Sequence, residues 1–240
     1  MRGLGARKVN FTRARDAFSE TEAMRIRGRV DLDVIPPGLK DLSQWHSRPA
    51  FAGRVADFAR VRRGDLVLEP SAGIGRLARF IPRSASLTAI EIDARLVAHL
   101  VAHGRQRDWM VIRADFLAWA AWRVSTLRVG ELPFDVAVMN PPFENDQDAA
   151  HMLAALSLCR RVVAVVRAQF LFGSGRGAAI WQWYRHSRIA IAENRPPFDG
   201  VLEASGSPRH DFIVVEIVPR VDGEMGKPDP VEVERWADKW

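Results

Sequence analysis

Apolar and polar positions along this chain fall into two alternating kinds of segment. Short apolar runs at 65–70, 87–90, 110–114, 134–139, 161–166 and 212–218 have the length and bounding residues of strands. The run Phe134-Asp135-Val136-Ala137-Val138-Met139 reads as a buried strand of a parallel sheet. Between the runs the spacing changes to helical. Phe51, Val55, Phe58 and Ala59 fall on one face, as do Leu96, Val97, Leu100 and Val101. Further helices are predicted through Leu77, Ala78 and Phe80, through Leu117, Trp119 and Trp122, and through Met152, Leu153, Ala155 and Leu156. Another is expected behind a basic loop, carrying Trp181, Trp183 and Tyr184. Ser47 ahead of Pro49, Asp93, Asp115 and Asp146 stand where helix N-caps belong. Strands alternating with helices predict an α/β domain.

Composition narrows the class. The 240 residues are 48% apolar and 27% charged, which suits a globular domain. No run reaches the ~20 apolar residues of a membrane span, and the basic N-terminus lacks the apolar stretch of a secretory signal. Cys159 is the only cysteine, so a disulfide within the chain and a zinc framework are both excluded, and a cytoplasmic location is expected. A net charge of +6 favours a polyanionic partner. Residues 1–42 read as a basic arm and a linker around Pro36-Pro37-Gly38, residues 43–218 as the catalytic domain, and residues 219–240 as a charged, loosely packed tail. The arm fits a phosphate backbone and fits a solvated tail equally.

Candidate chemistry gathers at strand ends, where α/β proteins bind ligands. The strand at 65–70 runs into Ser71-Ala72-Gly73-Ile74-Gly75, whose glycines allow close backbone approach. Neither a third glycine nor a Walker lysine follows. Glu91 ends the next strand, placed for ribose hydroxyls or for a helix start. Asp115-Phe116 ends the third, where a carboxylate and a ring suit an adenine or a simple cap. Asn140-Pro141-Pro142-Phe143 ends the fourth. Two prolines force an extended exit that holds one amide and one carbonyl rigidly. His151 lies on the following helix, and an isolated histidine there is more often structural than a base.

Taken in order, Gln44-Trp45-His46-Ser47-Arg48-Pro49, Leu68-Glu69-Pro70-Ser71-Ala72-Gly73-Ile74-Gly75, Ile90-Glu91-Ile92-Asp93, Ala114-Asp115-Phe116 and Asn140-Pro141-Pro142-Phe143 resemble the motifs of S-adenosylmethionine-dependent N6-adenine DNA methyltransferases, in the gamma arrangement. The resemblance covers roughly residues 43–218. It implies a Rossmann-like class I fold, a seven-stranded mixed sheet with helices on both faces, with 212–218 in an antiparallel hairpin. S-adenosylmethionine is the implied cofactor and no metal is needed. Glu69, Ser71, Gly73 and Gly75 would surround its methionine part, with Ser47 near the carboxylate. Glu91 would hold the ribose, Asp115 and Phe116 the adenine, and Ile92 would pack on that ring. Asn140 and Pro141, stiffened by Pro142, would accept from the target amino group, and Phe143 would stack on a flipped target base.

The implied substrate is DNA, duplex or single-stranded. Arg167, Arg176, Arg195 and Arg209, on or beside basic and aromatic loops, are expected to contact it. Only residues 219–240 follow the last strand, too few for the large recognition domain of restriction-system enzymes. Relaxed or short sequence specificity is therefore expected, as in small phage- or prophage-borne enzymes. The same acceptor turn also suits methylation of an RNA base amino group or a protein glutamine amide. A non-catalytic nucleic-acid-binding module is a further alternative. The oligomeric state is not legible.

Overall fold

The computed structural model describes residues 46–104, 107–143, 146–172, 180–194, 198–199, 211–220 and 230–237. The chain runs β1 (His46–Ser47), α1 (Pro49–Phe58), β2 (Leu66–Pro70), β3 (Ser86–Glu91), α2 (Ala94–Gly104), β4 (Met110–Arg113), α3 (Phe116–Ser125), β5 (Phe134–Met139), α4 (Gln147–Leu156), β6 (Cys159–Arg167), β7 (Tyr184–Ala192), β8 (Phe198–Asp199), β9 (Phe212–Pro219) and β10 (Glu232–Trp236). The basic arm, Gln44, Trp45, Arg176, Arg195 and Arg209 lie outside the described residues.

Eight strands form one sheet in the order β10-β7-β9-β6-β5-β2-β3-β4. Strands β2 to β6 are parallel to their neighbours, and β9 is inserted antiparallel between β6 and β7. Because β2 lies between β3 and β5, the crossovers diverge there and open a crevice at the carboxyl ends of β2 and β5. The two motif-bearing turns therefore sit side by side.

Alternation along the central strands builds two cores. Val136 and Val138 of β5 face α1, packing with Phe51, Val55, Val163 and Val165. Ala137 and Met139 face the other way, toward Phe116 and Trp119 of α3 and Met152 and Leu156 of α4. Each fully buried Val, Leu or Phe contributes about 1.5–3 kcal/mol, so this two-sided burial fixes the register of β5 and the position of Asn140 after it.

Three expectations are corrected. The sheet has eight strands rather than seven, because β10 adds parallel to β7 within the segment expected to pack loosely. Its anchor is Trp236, 2% exposed and edge-on to Phe51 and Phe58. The helix expected through Leu77, Ala78 and Phe80 is only a 3-10 turn, Ala78–Phe80. Pro82 disfavours helical backbone at Ile81, which is extended at ψ 130. Tyr184 opens β7 instead of lying on a helix with Trp181 and Trp183. The strand escapes the pattern because Arg188 fills a buried position normally held by an apolar side chain.

Candidate active site

The turn after β2 is shaped by its backbone. Ser71 adopts φ 59, an uncommon left-handed conformation for a non-glycine residue, followed by Gly73 at φ 59 and Gly75 at φ 84. A Cβ on Gly75 would stand 2.9 Å from Leu100 Cδ2, so only glycine lets the turn lie against α2. Ala72 N–H donates to Ile90 O at 2.9 Å and Gly73 N–H to Glu91 Oε2 at 2.7 Å, tying the turn to the tip of β3.

Glu91 is the hub of this corner. Its Oε1 accepts from Asp93 N–H at 2.9 Å while Oε2 holds Gly73, and the Ile92 backbone is a third donor to the carboxylate. Burial raises the Glu91 carboxyl above its ordinary value, partly offset by these backbone donors. Glu69, at the end of β2, is 2% exposed, and its Oε2 is buried without a hydrogen-bond partner. Burial, reinforced by the Glu91 charge, pushes the Glu69 carboxyl well above its ordinary value. Asp93 N-caps α2, its Oδ1 accepting from Arg95 N–H at 2.8 Å. Ile92 between them is 51% exposed, an apolar shelf at the strand tip.

The acceptor turn faces this corner. Asn140 Nδ2 donates to Ser47 Oγ at 3.3 Å, which joins the segment before α1 to the end of β5. This orients the amide so that Oδ1, shielded from water, is the remaining acceptor. Ser47 was expected to cap α1, but Arg48 occupies the N-cap position without a side-chain cap, and the Ser47 hydroxyl serves Asn140 instead. β1 pairs antiparallel with β8, Ser47 opposite Phe198, so the segment between β7 and β9 reaches the site.

Other expected residues are placed differently. Asp115 Oδ1 caps α3 through Ala118 N–H at 2.8 Å. Phe116 is buried, stacked on Trp119 with centroids 6.5 Å apart and tilted against His151 at 5.4 Å. Phe143 is only 5% exposed, its ring 5.0 Å from Phe212, so it presents no open stacking face here. Arg167 is mostly buried and pairs with Asp148 at 3.4 Å, a structural engagement rather than an extended contact. His151 Nδ1 lies 2.9 Å from Gln147 O, and burial lowers its pKa, so it is a neutral donor to the backbone.

Sequence reasoning missed Arg76. It is 5% exposed and donates to Ser47 O at 3.1 Å, setting a cation between the glycine turn and the segment before α1. Directly after a glycine turn it looks like any surface arginine; only the return of residues 46–47 over it creates the burial. Among the described residues no cluster of three or more His, Cys, Asp or Glu is placed to hold a metal ion, and no helix is long and apolar enough to cross a membrane.

The carboxyl-end crevice thus combines a buried carboxylate pair, a buried guanidinium, an apolar shelf and a backbone turn that lacks a Cβ at Gly73 and Gly75. That donor and acceptor set fits a nucleoside bearing a ribose diol, a planar base, a carboxylate and positive charge.

No family model matches the chain. It is 26% identical over 192 residues to a protein of Methanopyrus kandleri named as a probable ribosomal RNA small subunit methyltransferase A, covering 75% of this chain and 63% of that one. Ribosomal RNA small subunit methyltransferase A of Gloeobacter violaceus is 29% identical over 94 residues, 39% of this chain and 35% of that one. The chain therefore spans less than two thirds of the length of these curated relatives. Among solved structures, the M protein of type I restriction enzyme EcoKI superposes with TM-score 0.59 at 11% identity, covering 80% of this chain and 48% of that one. At these identities the likeness is one of fold. That fold is the Rossmann-like class I methyltransferase fold, here with an eighth strand.

Proposed function

We propose that the protein transfers a methyl group from S-adenosylmethionine to the exocyclic N6 of adenine in a polynucleotide. One observation carries this reading. Asn140, at the rigid exit of β5, is held by Ser47 beside the corner built by Glu69, Gly73 and Glu91.

When bound, the cofactor supplies an electrophilic methyl group on a sulfonium. Glu91 would accept from the ribose diol beside its backbone donors, and Ile92 would cover one face of the adenine. Arg76 and Ser47 would hold the carboxylate, a charge-assisted contact of the kind that is short and directional. Glu69 would balance the positive charge of the methionine part.

The target nitrogen is a weak nucleophile because its lone pair is delocalised into the base. Asn140 Oδ1 and the Pro141 carbonyl would accept hydrogen bonds from its two N–H groups and draw it toward tetrahedral geometry. Pro142 keeps that carbonyl from swinging away. Preorganised acceptors of this kind contribute about 10²–10³ in rate, and fixing the nitrogen in line with the methyl group adds the proximity effect. Both protons stay on the nitrogen, hydrogen-bonded to these acceptors, while the methyl group leaves the sulfonium and a neutral thioether remains. The methylated cation then loses one proton to solvent.

DNA is the polymer favoured by the gamma motif order. RNA is the second reading, favoured by the ribosomal RNA methyltransferase names of the two curated relatives. Labelled S-adenosylmethionine offered with equal adenine concentrations in duplex DNA, single-stranded DNA and ribosomal RNA decides between them. Preferential label in DNA supports the first reading; preferential label in RNA replaces it with the second. If the polymer is DNA, relaxed or short sequence specificity is expected, and label confined to one long motif would refute that.

A further inference from the structure

A second concentration of positive charge lies at the opposite ends of the strands. Arg83 is exposed in the turn ahead of β3, and Arg79 lies in the 3-10 turn before it. His103 in the last turn of α2 and Arg107 ahead of β4 face them. These groups are built in rather than trailing in solvent. Arg107 donates to the carbonyls of Arg79 and Ile81, the latter at 2.9 Å, and lies over the Trp109 ring at 5.6 Å. His103 packs on the same ring with centroids 5.0 Å apart. A Cβ on Gly104 would stand 3.0 Å from Trp109 Cβ, so glycine is what seats that ring.

The charges on this surface oppose one another. After burial, Arg107, Arg79 and Arg83 are what lower the His103 pKa, and Arg83 and Arg79 act on Arg107 in the same sense. Among the described residues no carboxylate forms an ion pair with Arg83 or Arg107. At those two side chains the internal carboxylates that neutralise Arg161 and Arg188 elsewhere in the molecule have no counterpart among the described residues.

We infer that the surface formed by Arg79, Arg83, His103 and Arg107 binds the phosphodiester backbone of the polynucleotide substrate, away from the base being methylated. The inference rests on the polynucleotide reading above. Strand β3 runs from Ser86 to Glu91, so roughly 20 Å separate this surface from the strand tips at about 3.3 Å per residue. That distance is about six backbone charges along one strand. A short oligonucleotide in the transfer site does not reach the surface, and a long one does.

The test uses the full chain with Arg83→Glu and the double variant Arg79→Glu/Arg83→Glu. Arg107 is left intact because it holds two backbone carbonyls. Binding of a labelled duplex of about 30 base pairs, and of RNA of the same sequence, is followed by anisotropy across a salt series. The double variant is expected to bind the long polymer at least about tenfold more weakly, with the slope of log K against log salt reduced by about two for DNA and somewhat less for single strands. Transfer to an oligonucleotide of about four residues, and the melting temperature of Arg83→Glu, are expected to stay at wild-type levels. Unchanged affinity and slope, in variants that still methylate, would overturn the surface and leave the transfer site intact. A wild-type protein that neither binds nor methylates either polymer would overturn the polynucleotide reading, and this inference with it. Displacement of the labelled polymer by millimolar inorganic phosphate as complete as by unlabelled polymer would overturn it in favour of a small-anion site.

Discussion

Buried charge is handled in two ways in this molecule. On the flank formed by β6, β7, β9 and β10, Arg188 is 6% exposed and Glu216 is 8% exposed, and both are satisfied from within. Arg188 meets Glu234 at 2.8 Å and Glu216 at 3.8 Å, and donates to Phe58 O at 2.8 Å. Arg161 meets Glu216 at 3.0 Å, and Ser187 donates to its other oxygen at 2.8 Å. At the carboxyl ends of β2 and β3, Glu69 and Glu91 are as deeply buried, yet no cation pairs with either among the described residues. Both are pushed above their ordinary values, the mark of a charge that the protein does not balance itself. Balanced burial holds the sheet together. Unbalanced burial marks where a ligand completes the structure.

The contrast breaks most sharply at the acceptor turn. Asn140→Ala is expected to lower kcat by about 10²–10³ while S-adenosylmethionine still binds, measured by single-turnover transfer and calorimetry in parallel. On the other flank the effect moves from activity to stability. Arg188→Met leaves Glu216 to Arg161 and Ser187 and leaves Glu234 only its longer contacts with Arg60 and Trp236, and should cost about 3 kcal/mol. For a chain of this size that lowers the melting temperature by roughly 6–12 °C, with the rate of the folded enzyme unchanged. Glu91→Gln is expected to reduce cofactor affinity by about 1.5–3 kcal/mol in calorimetry, and to lower the melting temperature as well, because the amide cannot accept from both Gly73 and Asp93 N–H.

Glu69 gives the smallest and most diagnostic effect. Its folded-state pKa is raised above 4.5, so the folded protein binds more protons than the unfolded chain in that window. The stability it contributes is full below 4.5 and is lost as pH rises through the folded pKa. Glu69→Gln should therefore flatten this part of the ligand-free stability profile and raise the melting temperature at neutral pH. Saturating S-adenosylmethionine should shrink the difference between variant and wild type, because positive charge beside the carboxylate favours its ionised form.

How much of this was legible in the sequence depended on whether a residue's role was local. Glu91, Gly75 and Asn140 could be placed because a strand end, a close backbone approach and a double proline are written into neighbouring residues. Ile92 entered only through the family resemblance, and the structure shows it exposed at the strand tip. Phe143 was read as a stacking ring, yet its burial depends on Phe212, far along the chain. Ser47 was read as a cap because the capping pattern is local, whereas its bond to Asn140 spans 93 positions. Strand β7 was hidden by Arg188, whose partners come from three other elements, and β10 by prolines and charges around a single burying residue, Trp236.

The most direct test identifies the methylated atom. Polynucleotide incubated with enzyme and labelled S-adenosylmethionine is digested to nucleosides and resolved by mass and chromatography, with Asn140→Ala alongside. The account predicts N6-methyladenine, as the nucleoside of whichever polymer is preferred, lost in the variant. Methyl on a ring nitrogen, on cytosine or on protein, or N6-methyladenine formed at an undiminished rate by Asn140→Ala, would contradict it.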